Sequence, residues 1–177
     1  MDERTFIALE LDSLVGLLAR HVQTPLGRKR ALELRPSTDR TEIELGLDLT
    51  TETVEHLKTG EGFGLSGIED PQGALAQLQI EATSLDPHQI LAMERLIAVG
   101  VDLSRQFKET GTRERYPELS RLTARIPDMR RLLEGMRGKI LPGGEIDDNA
   151  SPELRAIRRE IARCRTRIYR TLEAILH

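Results

Sequence analysis

Apolar residues recur along most of the chain at the spacing of amphipathic helices, and proline and capping residues mark where these helices begin. The stretch TPLGRKRALELRPSTDRTEI, residues 24–43, contains two such boundaries. Thr24 has the side chain of an N-cap, and Pro25 suits the first helical position because that position needs no N–H donor. Pro36 ends this helix, and the polar residues after it begin another.

The next helix is predicted between Asp39 and Lys58, with Gly60 after it as a stop signal. Glu42 stands three residues after Asp39, which is the spacing of a capping box, in which the Glu42 carboxylate would accept the backbone N–H of Asp39. We expect four apolar residues at helical spacing to form the buried face of this helix. They are Ile43, Leu47, Val54 and Leu57.

Proline also marks helix starts in the middle of the chain. Asp86 and Pro87 repeat the cap-then-proline signal before a longer helix that is predicted to reach Lys108. Residues 138–149, GKILPGGEIDDN, form a turn-rich connector with room for a small hairpin. Shorter helices are predicted to start at Pro71, Pro117 and Pro127.

The last segment has the most regular pattern. Ser151 is the predicted cap and Pro152 the first helical residue, and apolar residues then follow a seven-residue repeat. The repeat consists of Leu154, Ile161, Ile168 and Ile175, with Ile157, Cys164 and Thr171 between them. No glycine, proline or asparagine follows before His177, so the pattern predicts a helix that is cut within a longer one.

These patterns predict an all-α protein, a bundle of short helices leading into a long, truncated lever or coiled-coil helix. We divide it into a helical core over residues 1–149 and the start of the long helix over residues 150–177. The composition agrees, since the chain has no Trp, three Phe and two Tyr, and its core must consist mainly of aliphatic side chains.

The sequence also bears on location. No stretch approaches the roughly 20 apolar residues of a membrane span, and the start lacks the pattern of a secretory leader. The single Cys164 cannot form an internal disulfide. We therefore expect a cytoplasmic protein without membrane contact.

Charge is distributed unevenly along the chain. The net charge is −3, but residues 1–100 carry 9 basic and 17 acidic side chains, whereas residues 101–177 carry 17 and 12. Seven arginines against three glutamates lie in the final helix. The arginines are Arg155, Arg158, Arg159, Arg163, Arg165, Arg167 and Arg170.

This arginine series has three interpretations: a solvated flank of a coiled coil, a surface that contacts nucleic-acid phosphates, or a surface that binds a protein. Another basic run, Arg28, Lys29 and Arg30, consists of adjacent residues. Neighbouring residues point to different sides of a helix, so this run does not predict a compact basic patch.

No motif in the chain predicts a catalytic, cofactor or metal site. Residues 62–67 read GFGLSG and match G-x-G-x-x-G, but a helix rather than a strand is predicted before them, which favours a flexible loop. The four histidines are far apart, and no Walker-type phosphate loop occurs. The acidic residues before the final helix are interpreted as complementing its dipole rather than as binding a cation. They are Glu145, Asp147 and Asp148.

Three segments resemble one family. Residues 9–12, LELD, residues 24–43 quoted above, and residues 145–161, EIDDNASPELRAIRREI, are similar to the core or lever domain of MutS-type ATPases. They are most similar to the second bacterial branch, the paralogues associated with suppressing recombination and with stalled ribosomes. With weaker matches between them, these segments cover essentially the whole chain.

The resemblance implies that the chain is the N-terminal core and lever portion of such a protein and acts as a mechanical relay without a catalytic site. ATP and Mg²⁺ binding, an Smr-type nuclease activity and most of a homodimer interface would belong to domains outside residues 1–177. Branched DNA, the ribosome or both would be partners of the full-length protein. A different hypothesis is a free-standing helical adaptor that pairs through its C-terminal heptad helix.

Overall fold

The computed structural model of the protein describes residues 10–176, with side chains up to residue 175. This part of the chain forms helices and contains no β-sheet, which confirms the all-α prediction. The helices within the described range are α1 (Leu11–His21), α2 (Pro25–Leu32), α3 (Arg40–Lys58), α4 (Gln72–Leu78), α5 (Pro87–Gln106), α6 (Thr110–Arg115), α7 (Pro117–Thr123), α8 (Arg130–Met136) and α9 (Pro152–Leu176).

Several helix starts follow from local chemistry alone. The Thr24 hydroxyl accepts the backbone N–H of Gly27 at 3.0 Å, with Pro25 as the first residue of α2. Asp86 and Gln89 form a complete capping box at the start of α5. The Ser151 hydroxyl accepts the N–H of Leu154 at 3.1 Å and caps α9. These predicted starts are confirmed.

The capping box predicted for α3 is wrong in one contact. The Asp39 carboxylate accepts the backbone N–H groups of Thr41 and Glu42, as an N-cap should. The backbone N–H of Asp39, however, donates to the Ser37 hydroxyl, and that hydroxyl donates to the Glu42 carboxylate. Ser37 therefore lies between the two groups that a capping box would join directly.

The middle of the chain differs from the prediction in its details. Helix α5 ends at Gln106, two residues before Lys108, and the short α6 follows it. Helix α8 begins at Arg130 rather than at Pro127, because the Asp128 carboxylate accepts the Arg130 backbone N–H and binds its guanidinium. The same contacts hold the pKa of Asp128 well below its ordinary value.

The connector over residues 138–149 holds a small hairpin. Ile140 and Ile146 form an isolated antiparallel bridge, and Asp147 donates its N–H to the Lys139 carbonyl at 2.9 Å. The acidic residues that follow contact nearby groups. The Asp147 carboxylate accepts the N–H of Asn149, and Asp148 pairs with Arg158 of α9. The hairpin thus joins the bundle to the first turns of α9.

Helices α3, α5 and α7 surround a core that concentrates most of the few aromatic residues. Phe107, Tyr116 and Leu119 are buried together, and Phe63, from the glycine-containing loop before α4, packs against them. His56 of α3 is 1% exposed, and its ring centroid lies 4.9 to 5.5 Å from those of Phe63, Phe107 and Tyr116. The loop at residues 62–67 therefore supplies an aromatic side chain to the core.

The prediction of the buried face of α3 is wrong. The four apolar residues assigned to it are 42% to 62% exposed. The buried residues of α3 are instead Glu52 and His56, which face α7 and the aromatic core. Helix α3 carries two stripes at helical spacing. The stripe with Glu52 and His56, which looks polar in the sequence, is the one that packs against the core.

Glu52 is tolerated in this buried position because both carboxylate oxygens have donors. They accept the backbone N–H groups of Glu118 and Leu119, at 3.0 and 2.8 Å, in the first turn of α7. These N–H groups have no intrahelical acceptor, because they lie at a helix N-terminus. A side chain of α3 thus caps α7 across 66 residues of sequence.

Two buried polar atoms have no hydrogen-bond partner among the described residues: Nε2 of His56 and the hydroxyl of Tyr116. A buried hydroxyl without a partner costs about 1–3 kcal/mol.

Replacing Tyr116 with Phe should therefore leave the free energy of unfolding unchanged or raise it by up to about 1 kcal/mol, because the ring contacts remain. Urea titration followed by circular dichroism tests this, with the exposed Tyr169→Phe as control; a loss above about 1 kcal/mol would show that the hydroxyl has a partner.

The chain exposes an unusually large surface for its size. Its accessible area is 13984 Å² at 19.9 kDa, whereas a compact monomer of that mass exposes about 8,700 Å². Many of the large hydrophobic side chains that are exposed in the described residues lie on α3 and α9. No helix in residues 10–176 has both the length and the apolar composition needed to cross a bilayer.

Candidate nucleic-acid interface

Helix α9 projects from the bundle. The helix pairs with extensive packing in the described chain are α1 with α2, α3 with α7, α5 with α7 and α8, and α6 with α7, and none of them includes α9. Its 25 residues correspond to about 37 Å of helix. Both of its long faces are consequently open to contacts.

The structure divides the seven arginines of α9 into two groups. At about 100° per residue, five of them fall within an arc of roughly 120° on one side of the helix. These five are all exposed: Arg155, Arg159, Arg163, Arg167 and Arg170. We call this surface the arginine face. It spans about 22 Å along the helix.

The remaining two arginines, Arg158 and Arg165, lie seven residues apart on the other side of the helix, beside the heptad stripe. Arg158 is partly buried and pairs with Asp148 of the hairpin. This ion pair fixes the first turns of α9 against the connector. The predicted nucleic-acid contacts of Arg158 and Arg165 thus lie apart from the other five.

The guanidinium groups of the arginine face are not held in ion pairs in the described part of the chain. None of its five guanidinium groups forms an ion pair within 4.0 Å there. Thr166, which lies among them, donates its hydroxyl to the Ala162 carbonyl. The exposed donors of this face are therefore mainly guanidinium groups, which suit oxyanions such as phosphates.

The first turn of α9 also carries a carboxylate, Glu153. The backbone N–H of Glu153 and the Ser151 hydroxyl favour the charged form of the Glu153 carboxylate and lower its pKa. A carboxylate at this point also complements the positive end of the helix dipole. The arginine face begins two residues later, at Arg155, and the helix start is stabilised by groups of the chain itself.

No group of three or more side chains in the described residues has the geometry of a metal site. The arrangement that the structure does offer is a projecting helix with an apolar stripe on one side and a cationic face on the other. The fold and this helix define an all-α protein with one projecting helix.

Comparison with known proteins identifies the family. The chain is 28% identical over 176 residues, 99% of its length, to "Endonuclease MutS2" of Caldanaerobacter subterraneus subsp. tengcongensis. It is 30% identical over 169 residues, 95% of its length, to the protein of the same name from Thermomicrobium roseum, and 31% identical over 174 residues, 98% of its length, to that from Bacillus cytotoxicus. No family model matches.

These matches confirm the resemblance seen in the sequence: the chain is a MutS2-like sequence. It spans only 21% to 22% of the length of these relatives. What those relatives do as whole proteins therefore bears on this chain as a proposal.

Proposed function

We propose that the chain is the base of the lever in a MutS2-like DNA-binding protein. Residues 1–149 would be the helical core, and residues 150–177 the start of the lever helix that leads toward the DNA. The similarity to proteins named endonucleases, over nearly the whole chain, supports this assignment. The single structural observation that carries it is the projecting α9, with its arginine face and its open apolar stripe.

The mechanical role follows from the stiffness of a helix that is fixed at one end. The Ser151 cap and the Asp148–Arg158 pair hold the first turns of α9. A displacement of the bundle would then be transmitted along the helix as a rigid rotation, since packed elements move between discrete arrangements rather than deforming continuously. The chain itself would act as a relay and supply no catalytic group.

The further properties of the whole protein belong to the same proposal. ATP and Mg²⁺ would bind, and DNA would be cleaved, through domains outside this chain, and these domains would also form most of a homodimer interface. Branched DNA is the proposed substrate, with the ribosome as an alternative or second partner, in the cytoplasm. The family resemblance alone supports these proposals.

The arginine face gives the proposal a direct test. Each phosphate that a protein neutralises releases counterions, so affinity falls with salt in proportion to the number of contacts. Reversing Arg159, Arg163 and Arg167 to Glu should lower the affinity for a branched DNA in low salt by at least about tenfold. The slope of log K against log salt should become shallower by about one per arginine.

A matched control makes this test specific. Arg28, Lys29 and Arg30 are exposed on α2, and reversing them to Glu changes the net charge by the same amount. We expect this control to retain nearly the original affinity. Equal losses in both triple variants would show nonspecific attraction only, and unchanged affinity in the α9 variant would remove the phosphate contact.

The adaptor hypothesis stays open because the apolar stripe of α9 is exposed. In that hypothesis α9 pairs with a partner protein or with another α9, and the chain joins proteins without binding DNA. The two hypotheses predict effects of different substitutions. Substitutions in the arginine face should weaken DNA binding if the chain is a lever, whereas only substitutions in the heptad stripe should weaken association if it is an adaptor.

A further inference from the structure

The arginine face of α9 is a row with a regular step. Four of its members follow one another at intervals of four residues, or about 6 Å along the helix. They are Arg155, Arg159, Arg163 and Arg167. Consecutive phosphates of an extended nucleic-acid strand lie a similar distance apart, so such a strand can run along α9 and present one phosphate to each guanidinium group.

A DNA duplex fits this row less well. Each strand of a duplex winds around the axis once in about 34 Å. The arginine row extends about 22 Å along a straight α-helix, so it follows the curved backbone of a duplex over only part of its length. An extended single strand is flexible and can follow the whole row.

A shallow hollow lies among the arginines. Its volume is about 490 Å³. It is lined by Arg163, Arg167 and Arg170 together with the small residues Ala162 and Thr166. In the described part of the chain no acidic side chain lines it. The small side chains let a nucleic-acid backbone approach the helix, and a phosphate there would lie beside three guanidinium groups.

An exposed aromatic ring lies beside this hollow. Tyr169 is 68% exposed, and it follows Thr166 by three residues, which makes the two side chains neighbours on the helix surface. Tyr169 is outside the heptad stripe, so packing of that stripe does not account for it. The bases of a single strand have open faces that can stack on a tyrosine ring, whereas the bases of a duplex are stacked on one another.

We infer that α9 binds single-stranded DNA, with successive phosphates along the arginine face and a base stacked on Tyr169. A cationic surface that follows the backbone, next to an aromatic ring that stacks a base, is the arrangement by which proteins bind single strands. The inference rests on the proposed function, because it specifies which form of DNA the arginine face contacts. In a branched DNA this form is an unpaired segment.

Two probes of equal length test the form of DNA. One is an oligothymidylate of about 16 nucleotides, which stays single-stranded, and the other is a duplex of about 16 base pairs. Fluorescence anisotropy of the labelled probes in low salt should show at least about tenfold tighter binding of the single strand. Reversing Arg159, Arg163 and Arg167 to Glu should remove most of this binding.

Substitutions at Tyr169 test the stacking. Tyr169→Ala should lower the affinity for the oligothymidylate about tenfold and leave the affinity for the duplex unchanged, because only the single strand can stack a base on the ring. Tyr169→Phe keeps a ring and should bind like the unaltered chain. Leu172→Ala removes another exposed side chain from the same helix. This control should change neither affinity.

Tyrosine emission gives a readout that a merely structural role of Tyr169 would not change. The chain contains two tyrosines and no tryptophan, so Tyr116→Phe leaves Tyr169 as the single fluorophore. The oligothymidylate should quench the emission of this variant as a base stacks on the ring. A duplex of equal absorbance should leave the emission unchanged.

The results that would overturn the inference are distinct. Duplex binding as tight as single-strand binding, and weakened by the arginine reversal, would leave the proposed function in place and remove this inference alone. Oligothymidylate binding without quenching, and without loss in Tyr169→Ala, would show that no base stacks on the ring. Tighter binding of an oligouridylate would assign the face to RNA. Binding of neither DNA probe would remove the DNA contact of the arginine face and this inference together.

Discussion

Replacing Glu52 with Ala is expected to lower the free energy of unfolding by about 3 kcal/mol, because hydrogen bonds to a buried charged group contribute more than neutral ones. The substitution removes the acceptor of two N–H groups at the start of α7. Leu119 is buried, so its N–H would be left without an acceptor in the core. Urea titration followed by helix content gives the measurement.

A graded series distinguishes this hydrogen-bonding role from simple loss of volume. Glu52→Gln keeps the shape but leaves only one carbonyl oxygen as acceptor, so its loss should lie between zero and that of Glu52→Ala. Glu55→Ala, exposed on the same helix, should change stability by less than about 0.5 kcal/mol. If Glu52→Ala behaved like Glu55→Ala, the carboxylate would not hold α3 and α7 together.

Helix starts were predictable from the sequence because the cause is local. The side chain that caps a helix lies within three residues of the N–H group it accepts, as with Thr24 and Ser151. Proline at the next position removes a donor that would otherwise need a partner. Such signals are contained in a few neighbouring residues and do not depend on the rest of the fold.

The buried face of α3 could not be predicted in the same way. Both sides of the helix have helical spacing, and the choice between them is made by α7, which follows more than fifty residues later. A glutamate in the core contradicts the usual burial of charged side chains until its donors on α7 are known. The apolar stripe was predicted to be buried because the sequence does not show whether another element covers it.

The arginine face was only partly predictable. The excess of arginine in the last helix is visible in composition, and projecting it at 100° per residue would have separated Arg158 and Arg165 from the other five. The pairing of Arg158 with Asp148 depends on the hairpin that brings residue 148 beside the helix. The positive charge of α9 was therefore visible in the sequence. Which arginine pairs with a carboxylate depends on the fold of the connector.

Replacing Phe107 with Ala is expected to have the largest effect on stability, a loss of about 3–5 kcal/mol, because it removes a ring from the centre of the core and leaves a cavity. Phe107 is 1% exposed, and its ring lies 5.2 Å from His56 and 6.3 Å from Tyr116. Urea titration followed by circular dichroism measures the loss.

Two comparisons make the Phe107 result interpretable. Phe107→Leu retains most of the volume and should cost clearly less than Phe107→Ala. Phe63→Ala removes a partly exposed ring at the edge of the same cluster and should also cost less. A loss below about 1 kcal/mol in Phe107→Ala would mean that the bundle is not held by this cluster, and the lever would then lack a firm base.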